Sequence, residues 1–254
     1  MLFIIFILGL TAGSFLNCVI YRLDKKESFL SGRSFCPSCK KELNVLDLIP
    51  VLSYLSLKGK CRYCKERISL QYPLVEMGTA FLFVFAFYSS SPFLGLFNAL
   101  TFLFLILISS FFIIIFVYDL KHFLILDKVL YPAVFITFLY RLLDYKSLLF
   151  NYLPVAVLAT LFFLFIFLVS RGKWMGFGDV KLAFLLGFFL GFPNVLAGFF
   201  FSFLIGAVVG VGLIIAKKSK LKSEVPFAPF LVIGSLIGFY FGEAFFDWYL
   251  SLIF

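Results

Sequence analysis

From Leu2 to Tyr21 the chain runs without a charged side chain, and comparable apolar stretches recur along most of its length. A helix rises 1.5 Å per residue, so about 20 such residues match a hydrocarbon layer of about 30 Å. The stretches are Leu2–Tyr21, Tyr72–Ser89, Phe93–Tyr118, Ile125–Tyr140, Leu149–Ser170, Val180–Phe192, Val195–Ala216 and Phe227–Leu250. Val180–Phe192 is short and is read as a short or tilted crossing. Forty phenylalanines and a 63% apolar composition exceed what the interior of one small fold can hide, which excludes an ordinary soluble domain. The expected fold is all-α and polytopic, with about eight transmembrane helices. Residues 1–20 are read as a retained first span, because no basic segment precedes them and no small-residue cleavage site follows.

The net charge of +9 raises the prospect of a nucleic-acid partner, so the positions of the 22 basic residues matter. With eight spans and the N-terminus outside, 20 of them fall on the cytoplasmic side, leaving only Arg141 and Lys146 outside. That is the positive-inside pattern, and it accounts for the charge with membrane lipid as the partner and no nucleic acid. If Val180–Phe192 did not cross, the cluster Lys217, Lys218, Lys220 and Lys222 would move outside. Two parts are expected: residues 1–91, holding two spans around a cytoplasmic insertion at about 22–71, and a six-span bundle at 92–254.

In the insertion, Cys36-Pro37-Ser38-Cys39 and Cys61-Arg62-Tyr63-Cys64 form two C-x-x-C turns separated by 21 residues. Two such turns can offer four thiolates to one tetrahedral Zn²⁺, and disulfides rarely persist in a reducing cytoplasm. Four thiolates leave no open coordination position, so one structural zinc per chain is expected, holding together a segment with little core of its own. Cys18, inside the first span, is read as packing.

Acids near a bilayer are costly and therefore informative. Six of the thirteen, Glu76, Asp119, Asp127, Asp179, Glu243 and Asp247, lie at or inside span ends. Asp119 and Asp179 fall on the same cytoplasmic side. Two carboxyls at one depth can share a water, one taking its proton while the other protonates a peptide carbonyl, which is acid proteolysis. Gly176 and Gly178 let the backbone come close to an extended substrate just before a helix begins. Each acid also has a structural reading: Asp179 as a helix N-terminal cap, Asp119 as an interfacial charge paired with Lys121 or Lys181. Glu76 is read either as a receiver of a substrate amine or as an ion-pair partner of Arg67. Asn17 is read as lining a binding face or as a satisfied polar group between helices, and His122 as an interfacial snorkelling residue.

These segments together resemble the type IV prepilin peptidases, membrane aspartic proteases of the GxGD class that also N-methylate their product. The likeness spans Gly13–Arg22, both cysteine turns, Tyr72-Pro73-Leu74-Val75-Glu76, Asp119-Leu120 with Asp127, Gly176-Phe177-Gly178-Asp179-Val180-Lys181, and Pro226–Phe230. It departs from the family at Ile125-Leu126-Asp127, where the family has Ile-Pro-Asp, and at Arg22-Leu23-Asp24, where it has Arg-Leu-Pro. The resemblance implies that Asp119 and Asp179 are the catalytic pair and that the substrates are prepilins or pseudopilins. It implies cleavage after a glycine between basic leader and apolar helix, at the cytoplasmic face of a bacterial inner membrane. It further implies S-adenosylmethionine as methyl donor, acting in the N-terminal region, where no glycine-rich nucleotide loop is legible. Two other readings compete. A presenilin-like protease is opposed by the cysteine insertion, and a proton-coupled transporter by acids at span ends instead of mid-membrane.

Overall fold

Inside lipid a backbone must satisfy its own hydrogen bonds, and the apolar stretches do so as helices in the computed structural model, which describes residues 1–25, 34–216 and 225–252. In chain order these are α1 (Leu2–Lys25), α2 (Leu52–Ser56), α3 (Gln71–Ser90), α4 (Leu96–His122), α5 (Asp127–Arg141), α6 (Tyr145–Ser147), α7 (Leu153–Ser170), α8 (Phe177–Leu190), α9 (Asn194–Ile215) and α10 (Ala228–Ser251). No extended strand occurs among the described residues, only isolated bridges at Phe35/Glu42 and Lys60/Arg67. The cluster Lys217–Lys222, and residues 26–33 of the insertion, lie outside the described residues.

Among the described residues six helical stretches are long and apolar enough to cross a membrane, and the chain is a multi-pass membrane protein. The difference from eight has two physical sources. Asp127–Ser170 is a single helical run of 44 residues, because a 3₁₀ turn (Leu142–Asp144), α6 and a π-helical turn (Leu148–Tyr152) carry helical hydrogen bonding from α5 into α7. Asp144 secures this junction by accepting from the Ser147 N–H at 3.3 Å and hydroxyl at 2.7 Å. The other source is α8, whose 14 residues reach only roughly 21 Å.

The helices fall into two compact units, Met1–Ile114 and Ile115–Phe254. In the first, α1 packs on α3 through a Gly9-x-x-x-Gly13 face. A Cβ at Gly9 would lie 2.5 Å from the Ala80 Cα, and one at Gly13 would lie 2.6 Å from the Glu76 Cα. Small residues let the backbones meet where hydrophobicity gives no preference for protein over lipid. The contacts also fix an antiparallel register, residue 13 beside 76 and 9 beside 80.

The second unit repeats the device. Gly234, Gly238 and Gly242 on α10 face Asn194, Gly198 and Ser202 on α9, and a Cβ at Gly238 would meet Gly198 and Asn194 backbone at 2.7 Å. At Gly187, α8 lies as close to Ala156 and Ala159 of α7. Leu182, Ala183, Leu185 and Leu186 of α8 are fully buried, which puts this helix in the core of the unit beyond its exposed first residue. It runs in the same direction as α5 and is tied to it near both ends: Lys181 Nζ holds both Asp127 carboxylate oxygens at 2.8 and 2.9 Å, and Arg141 donates to the Phe189 carbonyl at 2.5 Å. The Arg141 guanidinium also lies 3.5 Å over the Tyr152 ring. A cation on the last carbonyls suits a helix C-terminus.

Candidate active site and metal centre

Three helix ends of the second unit converge on two carboxyls. Asp119 sits in the last turn of α4, Asp179 in the first turn of α8, and both are buried. They are close enough for the charge of Asp119 to act on Asp179. One Asp179 oxygen accepts from the Gly176 N–H at 3.2 Å, the capping geometry expected three residues into a helix. Asp119 accepts from the Ala228 N–H, the first residue of α10, so the positive end of another helix faces it. Its Oδ2 is buried with no hydrogen-bond partner among the described residues. Buried polar atoms are nearly always satisfied, so this oxygen marks a position built to hold something.

The surrounding residues divide differently from the sequence reading. Lys181 pairs with Asp127, which leaves Asp119 without that ammonium and ties the residues after α4 to the start of α8. A Cβ on Gly178 would lie 3.2 Å from the Ile125 Cβ, so the α8 N-terminus can seat against that segment only without a side chain there. Gly176 has an ordinary φ of −77°, and a Cβ there would meet Asp179 Oδ2 at 3.8 Å and the Gly178 nitrogen at 3.9 Å, both ordinary contacts. His122 is exposed, its ring 4.4 Å from that of Tyr118. The role of Ala228 was not legible in the sequence beyond one sign: Pro226 and Pro229 flank it, as prolines do at a helix start.

In the first unit the two cysteine turns are copies of one another. The Cys36 N–H bonds the Lys41 carbonyl and the Lys40 N–H bonds the Cys36 carbonyl, at 3.0 and 2.9 Å. Cys61, Glu66 and Lys65 repeat the pattern at 2.8 and 3.1 Å. Lys40 and Lys65 both take positive φ, 59° and 60°, and each turn is closed by one of the isolated bridges. Cys36 and Cys61 are buried, Cys39 and Cys64 exposed, and the four sulfurs lie within 4.8 Å of one another. A tetrahedral zinc with Zn–S near 2.3 Å needs sulfurs about 3.8 Å apart; Cys36 and Cys64 are at 3.9 Å. The four cysteines can hold a metal ion. The Glu66 amide lowers the Cys64 thiol, but desolvation and the thiols of Cys61, Cys39 and Cys36 outweigh it and push it up to about 11.

Asp47 ties the intervening segment to the second turn, meeting Arg62 Nε at 2.6 Å and the Tyr63 hydroxyl at 3.4 Å. Desolvation raises its carboxyl, yet Arg62 and the Asn44 amide hold it below the usual carboxylate value.

Asn17 and Glu76 belong to the first unit. Asn17 is a satisfied group between helices, donating to the Gly13 and Tyr72 carbonyls and accepting from Gln71 Nε2 at 3.1 Å. Glu76 is buried and accepts from the Val51 N–H at 2.7 Å and from Ser14, in place of the Arg67 partner considered from sequence. A partly open cavity of about 330 Å³ lies beside Ser14, lined by Thr11, Cys18, Arg22, Leu48 and Pro50 among others.

Comparison with known proteins covers both units. Residues 7–90 match the bacterial peptidase A24 N-terminal domain, and residues 106–211 match the type IV leader peptidase family. A prepilin leader peptidase/N-methyltransferase of Bacillus subtilis is 36% identical over 254 residues, covering 99% of both chains. Proteins of the same description from Aeromonas salmonicida (32% identical, 98% of this chain and 94% of the relative) and Pseudomonas aeruginosa (30%, 93% and 89%) also match. No solved structure matches the chain. On near full-length identity at this level, the chain belongs to the prepilin leader peptidase/N-methyltransferase family.

Proposed function

We propose that this protein removes the basic leader of type IV prepilins or pseudopilins and then N-methylates the new terminus. Cleavage after a glycine by the Asp119–Asp179 pair rests on one observation above all: two buried carboxyls within electrostatic reach of each other at converging helix ends. An ionised carboxylate removes a proton from water, and the resulting hydroxide adds to the peptide carbonyl carbon. The protonated partner gives its proton to the carbonyl oxygen. Collapse breaks the C–N bond: the amine leaves with the proton that the base received, and the carbonyl re-forms as one hydroxyl of the diol returns a proton to the partner carboxylate. The N–H groups of Gly176 and Ala228 orient the two acids, and the Lys181–Asp127 pair positions the segment between them. Gly176 leaves room for an extended substrate.

The membrane reading that supports this role has eight crossings: α1, α3, α4, α5, α7, α8, α9 and α10. The ties of α8 to α5 near both ends support counting it, short as it is. In the bacterial inner membrane, with the N-terminus outside, the acids and the insertion face the cytoplasm, where a leader would present its basic residues. Residues 1–91 then form the methylation part and residues 92–254 the peptidase part.

Zinc in the Cys36, Cys39, Cys61 and Cys64 cage is structural. S-adenosylmethionine supplies a methyl group when bound. The residues that fit it are in the cavity of the first unit, where Arg22 suits its carboxylate and the hydroxyls of Thr11 and Ser14 suit its polar groups. Incubation of the purified protein in detergent with a prepilin-like peptide tests both halves. Cleavage should precede a mass gain of one methyl group that requires the donor; uncleaved peptide contradicts the reading.

A further inference from the structure

The segment from Val45 to Leu57 is the most apolar part of the 22–71 insertion, and its large side chains turn outward. Val45 is 81% exposed, Leu46 and Leu52 65% and Leu55 63%, in the company of Leu48 and Ile49. An apolar patch of this kind on a water-facing domain is costly, and its place along the helices shows what covers it. One carboxylate, Glu76, holds both the Val51 N–H and Ser14. Val51 is therefore at the level of Ser14 on α1. The uncharged run of α1 ends at Tyr21, so Ser14 lies roughly 10 Å inside that boundary at 1.5 Å per residue. Leu48 and Pro50 line a cavity with Thr11, Ser14, Cys18 and Arg22, a stretch of α1 that brackets this level.

Irregular backbone at membrane depth must find internal partners, and this segment does. Leu48, Ser53, Leu55 and Leu57 donate to carbonyls three or four residues back, and Leu52 donates to Pro50 at 2.6 Å. The last bond closes a γ-turn centred on Val51, which takes φ 60° and ψ −48°, a rare conformation for a β-branched residue. Its N–H would be left over, and Glu76 accepts it. Lys58 and Lys60, exposed just beyond the segment, suit a headgroup layer.

We infer that Val45–Leu57 is an interfacial wedge that inserts its exposed side chains into the hydrocarbon of the leaflet, with Glu76 pinning it beside α1 and α3. The inference rests on α1 and α3 crossing the bilayer and is independent of the peptidase and methylation readings. Single tryptophans at Leu52 and Leu46, in full-length protein with Trp174→Phe and Trp248→Phe in phosphatidylcholine nanodiscs, test it. Expected is strong quenching of Leu52→Trp and Leu46→Trp by bromine-labelled acyl chains and protection from aqueous acrylamide, with the reverse for Glu66→Trp on the exposed cysteine turn. The pattern should persist with Glu76→Gln, which keeps an acceptor oxygen, and shift toward acrylamide with Glu76→Met. Quenching of both wedge tryptophans by acrylamide alone would overturn the inference. So would protection from both quenchers, the result expected of a protein cover such as a second copy or a substrate.

Discussion

Gly176 and Gly178 flank a single phenylalanine yet make opposite demands. Gly178→Ala drives a Cβ to 3.2 Å from the Ile125 Cβ, so it should cost about 1–3 kcal/mol, visible as a lowered Tm and partly relieved by Ile125→Ala. Gly176→Ala meets nothing closer than 3.8 Å and should leave Tm unchanged while lowering kcat/KM for a prepilin peptide, the outcome that the proposed substrate path past Gly176 requires. Equal Tm losses would show that both glycines serve packing alone. The Lys181–Asp127 pair is partly exposed, so Asp127→Asn should change stability by less than about 1 kcal/mol in thermal unfolding. Sequence singled out Asp119 and Asp179 because acids stand out against so apolar a chain. It left Glu76 undecided because the partner is a backbone N–H 25 residues away, held in an unusual turn that no composition signals.

At the scale of elements, helix pairing is set by glycine faces. Gly238→Ala places a Cβ 2.7 Å from backbone atoms of α9 that cannot step aside, so a loss of about 1–3 kcal/mol is expected in detergent unfolding. Gly78→Ala on α3, with nothing within 4 Å, should be neutral or stabilising by about 0.5–1 kcal/mol. The positions of the long apolar helices were legible, since about 20 uncharged residues in lipid have little alternative. The junction between α5 and α7 was not. Helical hydrogen bonding continues there through residues that look like a loop, and Asp144 supplies the local cap. The Gly9-x-x-x-Gly13 face was present in the sequence, but which helix it meets depends on a register fixed only by packing.

For the whole molecule, a metal in the four-cysteine cage and the leaflet beneath the proposed wedge would supply what a 50-residue insertion lacks in core. Purified protein should carry about one zinc per chain by elemental analysis, with the double variant Cys36→Ser/Cys39→Ser losing it and becoming readily cleaved by protease between residues 34 and 70. The Asp47–Arg62 tie adds a pH dependence of known sign. A carboxyl lowered on folding contributes stability in full above its unfolded value, 3.8 here, and loses it only as pH falls below that through the folded value. Asp47→Asn should therefore loosen the insertion at neutral pH, read as faster amide exchange around Arg62 and Tyr63, and make no difference in strong acid. The acid pair is the centre of the account, and its direct test is cleavage of a prepilin-like peptide by purified Asp119→Asn and Asp179→Asn proteins. Both should be inactive while keeping wild-type helicity and zinc content; cleavage by either at the wild-type rate would contradict the assignment.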